Sequence, residues 1–384
     1  MAKITRKVLI LGNGFDLDLG RKTSYKDFYN SEYCPKDYPA PIIKHLNEKW
    51  VDNLDAVKWY DLENEILNYY EKIKTEGDDY DLYNACERKI IVQIKQIPTH
   101  TTSPIIQDNL TIIKRLLADN ILSLSSNNYV CAHPDAFLSP IERDAKALRL
   151  IKTGLIQYVT QVQSGSIKED SIAAAVARAF VYDKIASQYH TIYTFNYMKL
   201  TNNIDANWPK RFDAITKYIH GSVENNNIII GTKDYKISQE YDFIQKSFDS
   251  NYSPPAMVSD LLSANDITVF GHSLGVNDSQ YFKPFFKQQS SVGASRKNIT
   301  IFTKDEESEL QIKRSLQEMT EYKLSALFSM NDLQIIKVDE CRENNNMMFR
   351  EYIERFCDNE YEADMIISGR GYKMTSGIMA PRIL

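Results

Sequence analysis

Four short stretches place residues able to do chemistry directly behind apolar runs of strand length. His220-Gly221-Ser222 follows Tyr218-Ile219; a histidine there can act as a base near neutral pH, and the glycine lets a ligand come close. Thr194-Phe195-Asn196-Tyr197 ends the run that begins at His190. Asn196, donor and acceptor at once, can hold an attacking water or a ribose hydroxyl, or close a turn. Gly12-Asn13-Gly14-Phe15-Asp16 sits where a buried strand should turn into a helix. Glycines and unpaired amides at such a turn suit a pyrophosphate, and a tight structural turn equally explains them. Gly271-His272-Ser273-Leu274-Gly275-Val276-Asn277-Asp278 follows Ile267–Phe270. Ser273 and the small residues suit a ribose or phosphate, while Asp278 can accept a ribose hydroxyl or cap a helix. The complete G-x-G-x-x-G pattern fails because position 17 is leucine. The nucleophile-elbow reading fails because no histidine follows Ser273 to serve as its base, which counts against a serine hydrolase.

These motifs need a scaffold. Lys7 to Leu11 (KVLIL) is a continuous apolar run, which suits a parallel strand buried on both faces. Strand-like runs return at His190–Tyr197, Lys217–His220, Ile228–Ile230, Ile267–Phe270, Asn298–Phe302 and Leu333–Val338. Helical periodicity separates several of them, notably over Glu306–Phe328 and Met347–Phe356. The alternation predicts an α/β fold, a mostly parallel sheet with helices on both faces and motifs at the carboxyl ends of its strands. Residues 1–40 and 189–357 are expected to form this Rossmann-like dinucleotide-binding domain. Residues 41–188 carry long amphipathic patterns such as WYDLENEILNYYEKI and SIAAAVARAFVYDKIA, and are expected to form a large helical insertion or cap. Residues 358–384 show little periodicity and are expected to be a C-terminal tail packed on the domain or a partner.

The chain has 384 residues, 43% hydrophobic and 25% charged, enough for a full core in one large domain or two ordinary ones. A formal net charge of −5 argues against a basic stripe for nucleic acid. Cys34, Cys86, Cys131, Cys341 and Cys357 are scattered with no paired spacing, as in a reduced, cytoplasmic protein without a zinc ribbon. No stretch approaches the roughly 20 apolar residues of a membrane span, and the first apolar run is too brief for a signal-peptide core. No compact carboxylate and histidine cluster suggests a metal, which counts against a nuclease or nucleotide hydrolase.

In order, the glycine turn, T-x-N strand end, HGS and GxSLxV segment resemble the sirtuin NAD-binding plan. That resemblance implies a water- or ribose-holding Asn196, a general base His220 and a cofactor contact at Ser273. The sirtuin zinc module is absent: Asn225 to Gly231 follows the HGS instead, which counts against protein deacetylation. A closer resemblance is to the bacteriophage abortive-infection AbiH family. It rests on LILGNGFDLDLGRKTSYKDFY, W-Y-D-L-E (Trp59 to Glu63), TFNY, IHGS and GHSLGVNDSQYF, roughly a third of the chain.

The AbiH resemblance implies anti-phage defence that harms the infected host; the four motifs taken together are expected to hydrolyse NAD at its nicotinamide N-glycosidic bond. On that reading Asn196 and His220 are catalytic, and Asp16 either steadies positive charge on the ribose or caps a helix. Gly12, Asn13, Gly14, Phe15, Thr194, Gly221, Gly271, Ser273, Asp278 and Thr303 line the dinucleotide. Glu63 either reaches the site from the insertion or lies on a solvated face. The alternative is a sensor that binds the nucleotide without turning it over and signals to a partner. A hydrolase of this kind must be silent before infection, which implies control by a homo-oligomer, by the helical insertion covering the site, or by a phage trigger; the long amphipathic helices suit self-association or packing within the chain.

Overall fold

The computed structural model describes residues 6–52, 62–75, 96–98, 110–124, 129–182, 190–199, 215–343 and 347–368. Contacts divide the chain into two compact units, one of residues 1–24, 159–229 and 251–384, the other of 25–158 and 230–250.

The first unit is built on β1 (Lys7–Leu11), β2 (Thr191–Thr194), β3 (Thr216–Tyr218), β4 (Asp266–Phe270), β5 (Asn298–Thr303) and β6 (Asp332–Lys337). They form one sheet in the order β3-β2-β1-β4-β5-β6, with every neighbouring pair parallel. Around them lie α1 (Asn13–Asp18), α2 (Ile172–Tyr182), α3 (Met257–Ser263), α4 (Ser279–Gln289), α5 (Glu306–Met319), α6 (Leu324–Met330), α7 (Val338–Glu343), α8 (Met347–Glu354) and α9 (Glu360–Ser368).

Side-chain alternation explains why β1 has no polar face. Leu9 and Leu11 enter one core with α2, α8 and α9, whereas Val8 and Ile10 enter another with α3, α4, α5 and α6. The alanines of α2, Ala173, Ala174, Ala175, Ala177 and Ala179, are all buried. Asp18 fixes the start of that helix, because its Oδ2 accepts the Ala173 N–H at 2.7 Å. Residues 159–182, grouped with the insertion by their helical pattern, thus belong to the sheet-bearing unit: the apolar face of α2 is part of the core under β1.

Three expectations need correction in this unit. Ile228–Ile230 is a loop with Ile228 and Ile229 buried, instead of a strand; Asn226 takes a left-handed φ of 51°, and the Ile229 N–H reaches the His220 carbonyl at 2.8 Å. Glu306–Phe328 is two helices, α5 and α6, because Glu321 and Tyr322 take φ values of 52° and 65°. Part of the 358–384 tail is helical: α9 buries Ala363 and Ile366 in the core it shares with α2 and α8. Residues 369–384 lie outside the described residues, as do Trp59 to Asp61, Cys86 and His100.

The second unit contains helices Pro41–Asp52, 62–75 and Leu110–Ala118 and, up to Tyr158, helix Pro140–Gln163. It also holds an antiparallel sheet with Tyr129–Ala132 between Gln96–Pro98 and Leu122–Leu124. The insertion is therefore mixed instead of purely helical. Cys34, Cys341 and Cys357 are free thiols. Among the described residues no helix is long and apolar enough to cross a membrane.

Candidate functional site

The chain winds outward from β1 through β2 to β3, then returns to the other side of β1 with β4. The strand order therefore reverses at β1, and in open parallel sheets ligands bind outside the carboxyl ends at such a point. Gly12 follows β1, Asn196 follows β2, His220 follows β3, Gly271–Asp278 follows β4 and Thr303 ends β5. All the expected site residues of this unit lie on that one edge or in the turn leading from it.

The glycines there serve a close backbone crossing. A Cβ on Gly14 would lie 2.7 Å from Gly271 Cα, and one on Gly12 would lie 2.5 Å from His272 Cα. Gly271 itself has φ +63°, and its Cβ would meet the Gly14 backbone at 2.5 Å. The Gly12 N–H donates to the Phe270 carbonyl and the Gly14 N–H to the Gly271 carbonyl, each at 2.9 Å. These two amides, expected to face a pyrophosphate, instead clamp the first turn onto the turn after β4. Gly221 is a similar case: φ is +74°, and a Cβ would meet the Asn227 carbonyl oxygen at 2.1 Å, where an open approach for ligand was expected.

Two polar groupings adjoin this clamp. In one, His220 Nε2 lies 3.2 Å from Asp278 Oδ1 and His272 Nε2 lies 3.4 Å from Asp278 Oδ2, so one carboxylate serves two imidazoles. Both rings are about 5% exposed, and Asp278 is 17% exposed. The Phe195 ring packs between them, 5.3 Å from His220 and 4.2 Å from His272, with Tyr281 6.2 Å from His220. Asp278 thus faces imidazoles instead of standing open as a ribose acceptor.

In the other grouping, Arg21 Nη1 donates to Asp16 Oδ1 at 2.8 Å, with both side chains 1% exposed. Burial raises the Asp16 pKa, and Arg21 and the Asn196 amide oppose the rise. The pairing engages one atom on each side: Asp16 Oδ2 and Arg21 Nε and Nη2 are buried with no hydrogen-bond partner among the described residues. Asn196 joins this grouping to the clamp by donating its Nδ2 to the Gly12 carbonyl at 3.0 Å. Its backbone N–H donates to Thr194 Oγ1 at 3.1 Å. Asn196 and Thr194 therefore close the strand end as well as standing at the site.

Other expected residues are set apart from this chemistry. Phe15 is fully buried and packs edge-on against Phe270, ring centroids 5.6 Å apart. Ser273 is exposed, and Thr303 is buried at the end of β5. In the second unit Glu63 is buried, 2.8 Å from Lys246 Nζ, so it lies in an ion pair and not on a solvated face. His272 and Arg21 were not singled out from sequence. The signal for His272 was its place two residues past the apolar run Ile267–Phe270, close to the way His220 directly follows Tyr218-Ile219. Arg21 follows Gly20 in a loop and carries no comparable mark.

The fold and this edge define an α/β protein with a parallel sheet wound outward both ways from β1 and an imidazole–carboxylate cluster at its carboxyl edge. The family model for bacteriophage abortive infection AbiH matches residues 8–302, which takes in the glycine clamp, Asn196, His220 and Asp278. The chain belongs to that family, and membership implies a role in abortive infection of phage. No curated protein and no solved structure matches the chain.

Proposed function

We propose that the protein binds NAD at the carboxyl edge of the β1–β4 sheet, in a sirtuin-like Rossmann arrangement, and hydrolyses its nicotinamide N-glycosidic bond. The observation that carries this reading is the pairing of His220 with Asp278 on the same edge as the buried Asp16–Arg21 grouping. The strand order supports it, since 3-2-1-4-5-6 is the order of dinucleotide-binding sheets. So does the polar inventory: Asp16 Oδ2 offers an acceptor and Arg21 Nε and Nη2 offer donors, buried and in need of partners.

In the reaction, water adds to C1′ of the ribose as the bond to the nicotinamide ring nitrogen breaks. The bonding electron pair leaves with the ring, and the proton lost by the water passes to His220. Asp278 stabilises the imidazolium that results. Asp16 faces the positive charge developing on the sugar, and Asn196 Oδ1 orients the water. The glycines hold the two turns together instead of donating amides to phosphate.

The test is chromatographic. Purified protein is incubated with NAD, and nicotinamide release is followed for the wild type, Asn196→Ala and His220→Ala. Release by the wild type that both variants lose is the expected result. NAD binding without release, measured by calorimetry on the same sample, favours the sensor. Absence of binding removes the dinucleotide reading.

A further inference from the structure

We infer that Arg21 is a phosphate-binding residue: the guanidinium edge formed by Nε and Nη2 takes two oxygens of one phosphate, helped by the Thr23 hydroxyl from the same turn. That this phosphate belongs to NAD rests on the proposed function; the phosphate site itself does not.

A pyrophosphate at this edge of the sheet needs donors, and the Gly12 and Gly14 N–H groups expected to supply them are bonded to carbonyls across the clamp. The same stretch of chain supplies a cation instead. Gly20 takes φ +84° just past α1, and the chain doubles back there. The Gly20 N–H donates to the Leu17 carbonyl at 3.0 Å and the Arg21 N–H to the Asp16 carbonyl at 2.9 Å, a pair of bonds that closes the helix and sets Arg21 beside its first turn. Thr23 belongs to the same turn, its N–H donating to the Arg21 carbonyl at 3.1 Å.

The guanidinium is fixed as well as the backbone. Its Nη1 donates to Asp16 Oδ1 at 2.8 Å. In a planar guanidinium the edge between Nε and Nη2 lies opposite Nη1, and one N–H bond from each of those two nitrogens runs parallel to the other. The carboxylate therefore holds one side of the group, and the other side presents a fork that matches two oxygens of a phosphate. Arg21 Nε and Nη2 and Thr23 Oγ1 are buried with no hydrogen-bond partner among the described residues. Leaving the N–H groups of a charged side chain unmet inside a protein is costly, and one oxyanion answers both. The turn reaches solvent at Lys22, which is exposed, and Thr23 is half-buried, which gives a ligand an approach. Arg342, another arginine against α1, is paired with Asp18 and Asp339.

Two substitutions probe the fork without removing the charge beside Asp16. Arg21→Lys keeps a cation for Asp16 Oδ1 but has no second parallel N–H. Thr23→Val removes the hydroxyl and leaves the ion pair untouched. Thermal melts without ligand check that each variant folds.

The measurement is NMR of arginine-labelled full-length protein, following the Arg21 Nε–H signal, assigned by correlation to its backbone amide, as inorganic pyrophosphate, NAD or acetate is added. Calorimetry on the same samples gives the affinities. Pyrophosphate and NAD are each expected to move the signal saturably, with acetate leaving it in place. Arg21→Lys is expected to weaken both phosphate-bearing ligands about tenfold or more, and Thr23→Val to weaken them by a smaller factor.

A signal that stays in place while calorimetry shows NAD bound overturns the inference and leaves the dinucleotide reading standing, and so do unchanged affinities in a folded Arg21→Lys. A signal moved by acetate and not by pyrophosphate makes the fork a carboxylate site and overturns it too. Unchanged affinities in Thr23→Val alone remove the part given to Thr23. Pyrophosphate that moves the signal in a protein that does not bind NAD keeps the phosphate site and removes the dinucleotide reading. Absence of binding by both removes the two together.

Discussion

Arg21 and Asp16 hold opposite charges inside the protein through a single contact, which makes each dependent on the other. Taking either charge out of water is costly, and their attraction offsets that cost only while both remain. Arg21→Met is therefore expected to lower unfolding free energy by roughly 3–5 kcal/mol in chemical denaturation. The Asp16→Asn, Arg21→Met double variant is expected to lose less than the sum of the single changes, because no lone charge is left buried. Additive losses would mean that the two side chains do not act as a pair. This pair also shows where residue-level reading of the sequence ends. His220 and Asn196 were legible because each ends an apolar run, which places a side chain at the carboxyl edge of a sheet without further knowledge. His272 and Asp278 share a motif with Ser273, yet spacing alone did not tell which of the three faces inward. The answer depends on the left-handed Leu274 and on a carboxylate meeting a histidine from a different strand end. Asp16 was visible as an acid behind the glycines, but its partner Arg21 stands in a loop that periodicity does not mark.

At the scale of elements, the turn after β1 and the turn after β4 behave as one piece, since each leaves no room for a Cβ on the other. Gly14→Ala places a methyl 2.7 Å from backbone, and Gly271→Ala adds a left-handed φ to a similar clash. Each is expected to destabilise by roughly 1–3 kcal/mol or more. Gly275→Ala in the same loop meets only the exposed Ser273 hydroxyl at 3.2 Å and should change stability by less than about 0.5 kcal/mol. Thermal melts of the three variants check the contrast, and equal losses would contradict the clamp. The sequence showed glycines where they were needed but left phosphate binding and backbone crossing equally open, because both require the same absence of a side chain.

In the second unit, Asp144 of helix Pro140–Gln163 accepts the Ile42 N–H at the start of helix Pro41–Asp52. It also accepts the Tyr69 hydroxyl from helix 62–75. Burial pushes its carboxyl up to about 7 against the lowering effect of those bonds. A raised folded-state pKa means that the stabilising contribution is complete below the unfolded value of 3.8 and is lost as pH rises through about 7. Relative to Asp144→Asn, the wild type should therefore lose a few kcal/mol between about pH 4 and pH 7, at about 1.4 kcal/mol per unit. Urea melts at a series of pH values measure that difference, and a constant offset would remove Asp144 as its source.

For the whole molecule, the centre of the parallel sheet was the most legible part, because strands buried on both faces, as β1, β2, β4 and β5 are, need apolar runs and tolerate few alternatives. The second unit was less so. Its short antiparallel strands, Gln96–Pro98, Leu122–Leu124 and Tyr129–Ala132, have three or four residues each, too few to show a period beside the longer helices around them. Family membership gives the whole chain a role in abortive infection of phage, and the proposed chemistry constrains how that role must operate. An NAD hydrolase active in an uninfected cell would destroy the pool on which the cell depends. Cells carrying the wild-type protein should therefore keep normal NAD until phage is added, then lose it together with viability before new phage is released. His220→Ala should accumulate to the same level yet give plaque counts equal to cells without the gene, with NAD unchanged. Protection by the wild type with no fall in NAD would keep the defence role and discard hydrolysis. Protection that survives His220→Ala would place the defensive activity away from the carboxyl edge of the sheet.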